Sequence, residues 1–242
     1  VIVYLCTILF AIFYAPVFLL LSVIANGLFL GGIKSHSVRI SQDQLPELHN
    51  LINEICSAMQ MEVPTVYISN GEGMLNAFAI RLLSRDFVVI YSNILEMAFE
   101  RGEAEVTFVL AHELAHIKRG HTRRVWLRVP AHFVPFLSTA YSRACETTCD
   151  QIAAAVCPEG AKWGLVSLAA GSKIYRRVSL SALYRQFEED HGFWMWFHEI
   201  LSTHPSLIKR IKNAGIAATQ YEEIAPAENP SANGRRRVPR FK

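Results

Sequence analysis

The segment EAEVTFVLAHELAHIKRG, residues 103–120, decides how this chain is read. Glu103 and Glu105 stand at its front, Lys118 and Arg119 at its back, and Gly120 just beyond. That is the charge order and stop signal of an α-helix. Val106 to Ala111 is almost wholly apolar, so this is a buried helix that carries polar groups at one end, and buried polar groups need partners. His112 and His116 are four residues apart and share a helix face, so both imidazoles can address one metal ion. Glu113 follows the first histidine and can reach a water on that ion, which is the logic of the H-E-x-x-H pattern. A shuffled chain of this composition would contain the pattern with a probability of about 0.02, which weighs against the plain alternative of two surface histidines.

A catalytic zinc takes three protein ligands and keeps a position open for water. The candidate for the third is Glu146, in the helical segment SRACETTCD, residues 142–150. Read from the residues alone, Glu146 is equally a ligand or a solvated helical carboxylate. Asp150, one turn further on the same face, can accept a hydrogen bond from a ligand histidine and fix its tautomer. His121 could be a spare ligand, but at nine residues after His112 and five after His116 it falls off the ligand face and reads as a solvated loop histidine. Lys209 and Arg210 could help hold a substrate carbonyl or carboxylate, but read rather as a solvated helix surface. His191 and His198 lie among Phe193, Trp194, Trp196 and Phe197, a cluster that reads as core packing or as a membrane-interface belt.

Outward from the motif, residues 41–59 are helical, with Leu45, Leu48, Leu51, Ile52 and Ile55 at three- and four-residue steps. Thr65–Ile68, Asn76–Ile80 and Phe87–Tyr91 read as strands, with a turn at 70–73 between the first two. Helices are expected over 141–156, 164–175, parts of 180–201, and 205–214. From Val1 to Ile33 there is no charged residue. As a helix this run reaches about 50 Å, against about 30 Å of bilayer hydrocarbon. One tilted span, with a re-entrant hairpin as the alternative, is expected. Lys34 and Arg39 follow it, which places the rest of the chain on the cytoplasmic side. Val125–Tyr141 is apolar but broken by Arg128, Pro130, His132 and Pro135, and reads as an amphipathic segment on the bilayer.

His112–His116, the E-x-x-x-D of Glu146 and Asp150, Asn76-Ala77-Phe78-Ala79, and Thr203-His204-Pro205 occur together and in order. With them the chain resembles the HtpX-type and CAAX-prenyl-protease-type membrane zinc metallopeptidases, over roughly residues 45–214. The resemblance implies an α+β fold: a mainly helical zincin-like domain with a small β-sheet whose edge strand lines the active site, preceded by a transmembrane helix. It implies one zinc ion per chain on His112, His116 and Glu146, with Asp150 in support. It also implies Glu113 as general base, His204 on the oxyanion, and Asn76, Ala77 and Phe78 against an extended substrate. The departures are a broken apolar stretch where such proteins have a membrane hairpin, Cys149 at a usually smaller residue, and Ser206 where a second proline is common.

The expected organisation is an anchor over 1–33, a metallopeptidase domain over 34–220 and a disordered basic tail over 221–242. The chain is 51% hydrophobic and has a net charge of +3, and five positive charges fall in its last eight residues. The rest is close to neutral, so no nucleic-acid partner is expected. The partners expected are a peptide or protein substrate, membrane proteins among them, and the lipid bilayer. Five irregularly spaced cysteines suggest no disulfide framework, and Cys145 and Cys149 read as small buried side chains. The expected activity is that of a membrane-anchored zinc endopeptidase in protein quality control. The rival readings are a catalytically silent zinc scaffold, which the presence of Glu113 disfavours, and a membrane module that works through its anchor and tail.

Overall fold

The computed structural model describes residues 2–70, 77–82, 85–99, 103–121, 131, 134–171 and 173–224. It is mainly helical with one small mixed sheet, as expected from the sequence. Helix α1 (Ile2–His36) leads into strand β1 (Ser37–Arg39) and helix α2 (Pro46–Ala58). Strands β2 (Thr65–Ser69), β3 (Ala77–Leu82) and β4 (Arg85–Tyr91) follow, then helices α3 (Ser92–Phe99) and α4 (Glu103–Lys118). The second half is helical: α5 (Leu137–Val156), α6 (Ala161–Ala170), a 3-10 turn at Tyr175–Arg177, α7 (Leu180–Glu189), α8 (Phe193–Leu201) and α9 (Leu207–Ile224). Within α1, an 18-residue stretch of Ile12–His36 has a mean hydropathy of 2.1 and is not buried in the protein, so the helix is long and apolar enough to cross a membrane.

The sheet order is β1-β2-β4-β3; β2 and β4 run parallel and the other pairs antiparallel. The side-chain period of two gives β4 two buried faces. Phe87 and Val89 join Tyr67 against Leu30 and Ile33 at the end of α1. Val88 and Ile90 join Val66 in the main core with α4. The resemblance also implies that the Asn76–Ile80 and Phe87–Tyr91 strands together form the edge that takes the substrate; the sheet order puts only the first of them at an edge. β4 is paired on both sides, whereas β3 lies at one end of the sheet among the described residues.

Several boundaries differ from expectation for local reasons. Helix α2 starts at Pro46, whose fixed φ suits a first helical turn, while Ser41 and Gln44 pair in a tight turn before it. Helix α9 runs on through Glu222 to Ile224, past the expected stop. The turn expected at 70–73 lies outside the described residues beyond Asn70. So do residues 125–130, 132 and 133 of the broken apolar stretch and the tail from 225 onward. The aromatic cluster is not core: no residue of α8 is buried, and Phe193, Trp194 and Trp196 are 61%, 77% and 57% exposed. The reason is that α8 joins the body mainly through its C-terminal end. Arg143 of α5 donates to the carbonyls of Glu199, Ile200 and Ser202 at 2.8–2.9 Å, and Thr139 donates to that of Ile200 at 2.7 Å.

Helix α4 is the hub. Val106, Phe108, Ala111 and Ala115 are fully buried between the sheet, α5 and α6. Helix α6 approaches α4 so closely that glycine is required where they meet. A Cβ on Gly160 would collide with the Ala104 carbonyl, and one on Gly164 would press on the Phe108 ring. Gly160→Ala is expected to lower the melting temperature by about 2–10 °C through overpacking, as read by thermal unfolding in detergent. An unchanged midpoint would contradict this packing.

Candidate metal centre

Helices α4, α5 and α9 and the segment that precedes α9 meet at one cleft of about 400 Å³. Helix α4 supplies His112, Glu113 and His116. Helix α5 supplies Glu146 and, one turn on, Asp150. The segment joining α8 to α9 supplies His204, and α9 supplies Arg210. The α8 end is fixed to α5 by the Arg143 and Thr139 hydrogen bonds, and this holds His204 near Glu146.

The donor atoms converge tightly. His112 Nε2 and His116 Nε2 are 3.3 Å apart. Glu146 places Oε2 at 3.5 Å from the first and Oε1 at 3.3 Å from the second. A tetrahedral zinc ion with bonds of about 2.0–2.15 Å holds its ligands about 3.3–3.5 Å apart. Two imidazole lone pairs and a carboxylate repel one another unless protons or a cation lie between them. In spacing and in chemistry, His112, His116 and Glu146 fit a divalent metal, and all three belong to one possible ligand group.

The surroundings are arranged by charge. His112 is buried, and its Nδ1 lies 2.9 Å from Asp150 Oδ1. Arg210 grips Asp150 from the other side, with Nε and Nη2 each 2.8 Å from a carboxylate oxygen. Its Nη2 also lies 3.6 Å from Glu146. His204 Nδ1 reaches Glu146 Oε2 at 2.9 Å from the mouth of the cleft, its side chain 60% exposed. Glu113 lines the wall, as do Ala77 and Phe78 of β3. Asn76, expected beside them, lies outside the described residues.

These contacts set the protonation states. Burial works against the His112 imidazolium, but Asp150 and Glu146 outweigh it and hold its pKa at about 10. Burial would raise Glu146, yet the hydrogen bonds from His112, His116 and His204 bring it well below the usual carboxylate range. Burial opposes Asp150 in the same way, and Arg210 and His112 reverse it. The Glu146 contact, against some desolvation, raises His204. Glu113 goes up: burial lifts it more than the two histidines lower it.

Two residues contradict their reading from sequence. Arg210 is no solvated surface group but the ionic partner of a fully buried aspartate. The signal was Asp150 itself, since a buried carboxylate demands a cation; only the phase of α9 separates Arg210 from its neighbour Lys209, which pairs with Glu199 at 2.7 Å on the surface. His121 is no solvated loop histidine. Its Nδ1 lies 3.2 Å from His116 Nδ1. Helical phase does not extend past Gly120, where the chain turns at φ 68°. Cys145 and Cys149 are free and buried, as read from sequence.

An H-E-x-x-H helix facing a glutamate on the next helix, beside a sheet edge, defines a metallopeptidase. Sequence comparison assigns the chain to a family: the profile of peptidase family M48 matches residues 42–129 and 126–216, and the chain belongs to that family. It is 30% identical over 135 residues to the plastoglobule-localized metallopeptidase 48, chloroplastic, of Arabidopsis thaliana. It is 34% identical over 79 residues to a protease HtpX homolog of Thermodesulfovibrio yellowstonii. These matches take in 48% and 33% of this chain and only 38% and 27% of those relatives. No solved structure matches.

The site predicts a pH signature for the metal-free protein. A histidine raised from 6.5 to about 10 contributes stability that is full below pH 6.5 and lost as pH rises towards 10. A bound metal takes the place of those protons. The metal-free protein should therefore lose melting temperature from pH 6.5 to 10 while the metal-loaded protein holds it. A level metal-free profile across that window would contradict the charge assignment.

Proposed function

We propose that this chain is a membrane-anchored zinc endopeptidase. The observation that carries the reading is the convergence of His112 Nε2, His116 Nε2 and the Glu146 carboxylate at 3.3–3.5 Å, with Glu113 on the adjoining wall. Zinc held by those three supplies Lewis acidity, acidifying a water and polarising a carbonyl. Glu113 takes the proton of the attacking water and returns it to the leaving amine. The raised affinity of its carboxyl for protons suits both transfers. His204, its affinity for protons raised by Glu146, offers positive charge to the developing oxyanion when protonated. Asp150 holds His112, and Arg210 holds Asp150.

The substrate enters extended. Among the described residues β3 lies at one end of the sheet, and Ala77 and Phe78 lie on the cleft wall, so a peptide can pair with that edge as an added strand. Asn76, next in sequence, is assigned to substrate binding on the family resemblance alone. The anchor is the apolar part of α1, with the peptidase domain on the cytoplasmic side, following the positive charge of Lys34 and Arg39. Tethering at a bilayer makes membrane proteins, handled in quality control, the natural substrate class.

The test is zinc content and casein cleavage of wild type and Glu113→Gln, purified side by side in detergent. One zinc in each, with cleavage in wild type and a loss of at least about a hundredfold in the variant, is expected. One zinc in both and cleavage in neither would favour the silent scaffold. No zinc in either would remove the proposal.

A further inference from the structure

His121 stands outside the ligand set, yet two features fix it against His116. Helix α4 ends in a Schellman arrangement, with Gly120 in the left-handed region. The Gly120 N–H donates to the Ile117 carbonyl and the His121 N–H to the His116 carbonyl, both at 2.9 Å. This reversal brings the His121 ring back over the His116 ring, with centroids 5.3 Å apart and planes at 69°. The two Nδ1 atoms are 3.2 Å apart. Cys149 Sγ lies 3.7 Å from the same His121 nitrogen.

His116, His121 and Cys149 are close enough to suggest a second metal group. Two observations argue against it. Burial, then the nearby Glu146, Glu113 and Asp150 carboxylates, push the Cys149 thiol far up, away from the thiolate a metal would need. His116 is also already committed through Nε2 to the His112 and Glu146 cluster.

Proton counting then settles the pair. Two imidazole nitrogens at 3.2 Å attract only if one carries a proton and the other a lone pair. A neutral histidine that offers Nε2 to a metal carries its proton on Nδ1. His116 Nδ1–H therefore donates, and His121 Nδ1 accepts.

We infer that His121 is a positioning residue: by accepting this hydrogen bond it holds His116 in the tautomer and ring orientation that leave Nε2 open to the metal. The inference rests on the metal-site reading above. It gives each ligand histidine its own orienting partner, the Asp150 carboxylate for His112 and the neutral His121 ring for His116. Such partners are worth about ten- to a hundredfold in metal affinity.

The test is zinc affinity, measured by chelator competition on the full chain in detergent, for wild type, His121→Ala and His121→Asn. The asparagine Oδ1 can stand where His121 Nδ1 stands and accept the same bond. The alanine variant should bind zinc about ten- to a hundredfold more weakly, and the asparagine variant should recover most of that loss. Metal-free wild type and alanine variant should melt together, because the backbone bonds of the cap remain. Unchanged affinity in the alanine variant, equal weakening in both variants, or a matching fall in metal-free melting temperature would each overturn the role of His121 alone. A wild type that takes up no zinc would overturn the metal-site reading and this inference with it.

Discussion

Two carboxylates on one helix, Glu146 and Asp150, are the constraint around which the molecule is arranged. They lie one turn apart and are 8% and 0% exposed. Negative charge in that position is tolerable only if cations are brought to it. Helix α9 brings Arg210 to Asp150, the α8–α9 segment brings His204 to Glu146, and α4 brings His112 and His116. The docking of the C-terminal half onto α4 and α5 is thus partly an electrostatic requirement. The one part of the cluster that protein groups alone satisfy poorly is the triangle of His112, His116 and Glu146, where a metal fits.

Packing keeps that triangle rigid. Helix α4 has almost no solvent-facing side, and Gly160, just before α6, and Gly164 within it allow a close approach on its flank. A helix held on all sides cannot rotate, so its polar end points at a fixed place. β3 lies beside that end, and the strand edge and the donor cluster share one cleft. A site that needs a peptide to lie extended across fixed donors is served by this pairing of a sheet edge with an immobile helix.

Much of this was legible in the sequence. Residues 103–120 carry both the helix and three of the site's side chains, because spacing of four on a helix is local geometry. The E-x-x-x-D pair is legible for the same reason. What was not legible depends on how separate helices are phased against each other. Arg210 and Lys209 are adjacent in sequence, and only the docked orientation of α9 sends one to Asp150 and the other to Glu199. His121 was misread because helical counting was carried past Gly120, where the cap reverses the chain. Of the two readings of the α8 aromatic residues, core packing or an interface belt, core packing fails because the helix is tied down by backbone carbonyls at its C-terminal end rather than by its apolar face.

The most direct measurement of the central claim is X-ray absorption at the zinc edge on the purified chain loaded with one equivalent of metal. The account predicts a first shell of nitrogen and oxygen at about 2.0–2.1 Å, with the outer-shell pattern of two imidazoles and no sulfur. A sulfur shell at about 2.3 Å would place the ion on the cysteine side of His116 instead, and would contradict the assignment of His112, His116 and Glu146 as the metal ligands.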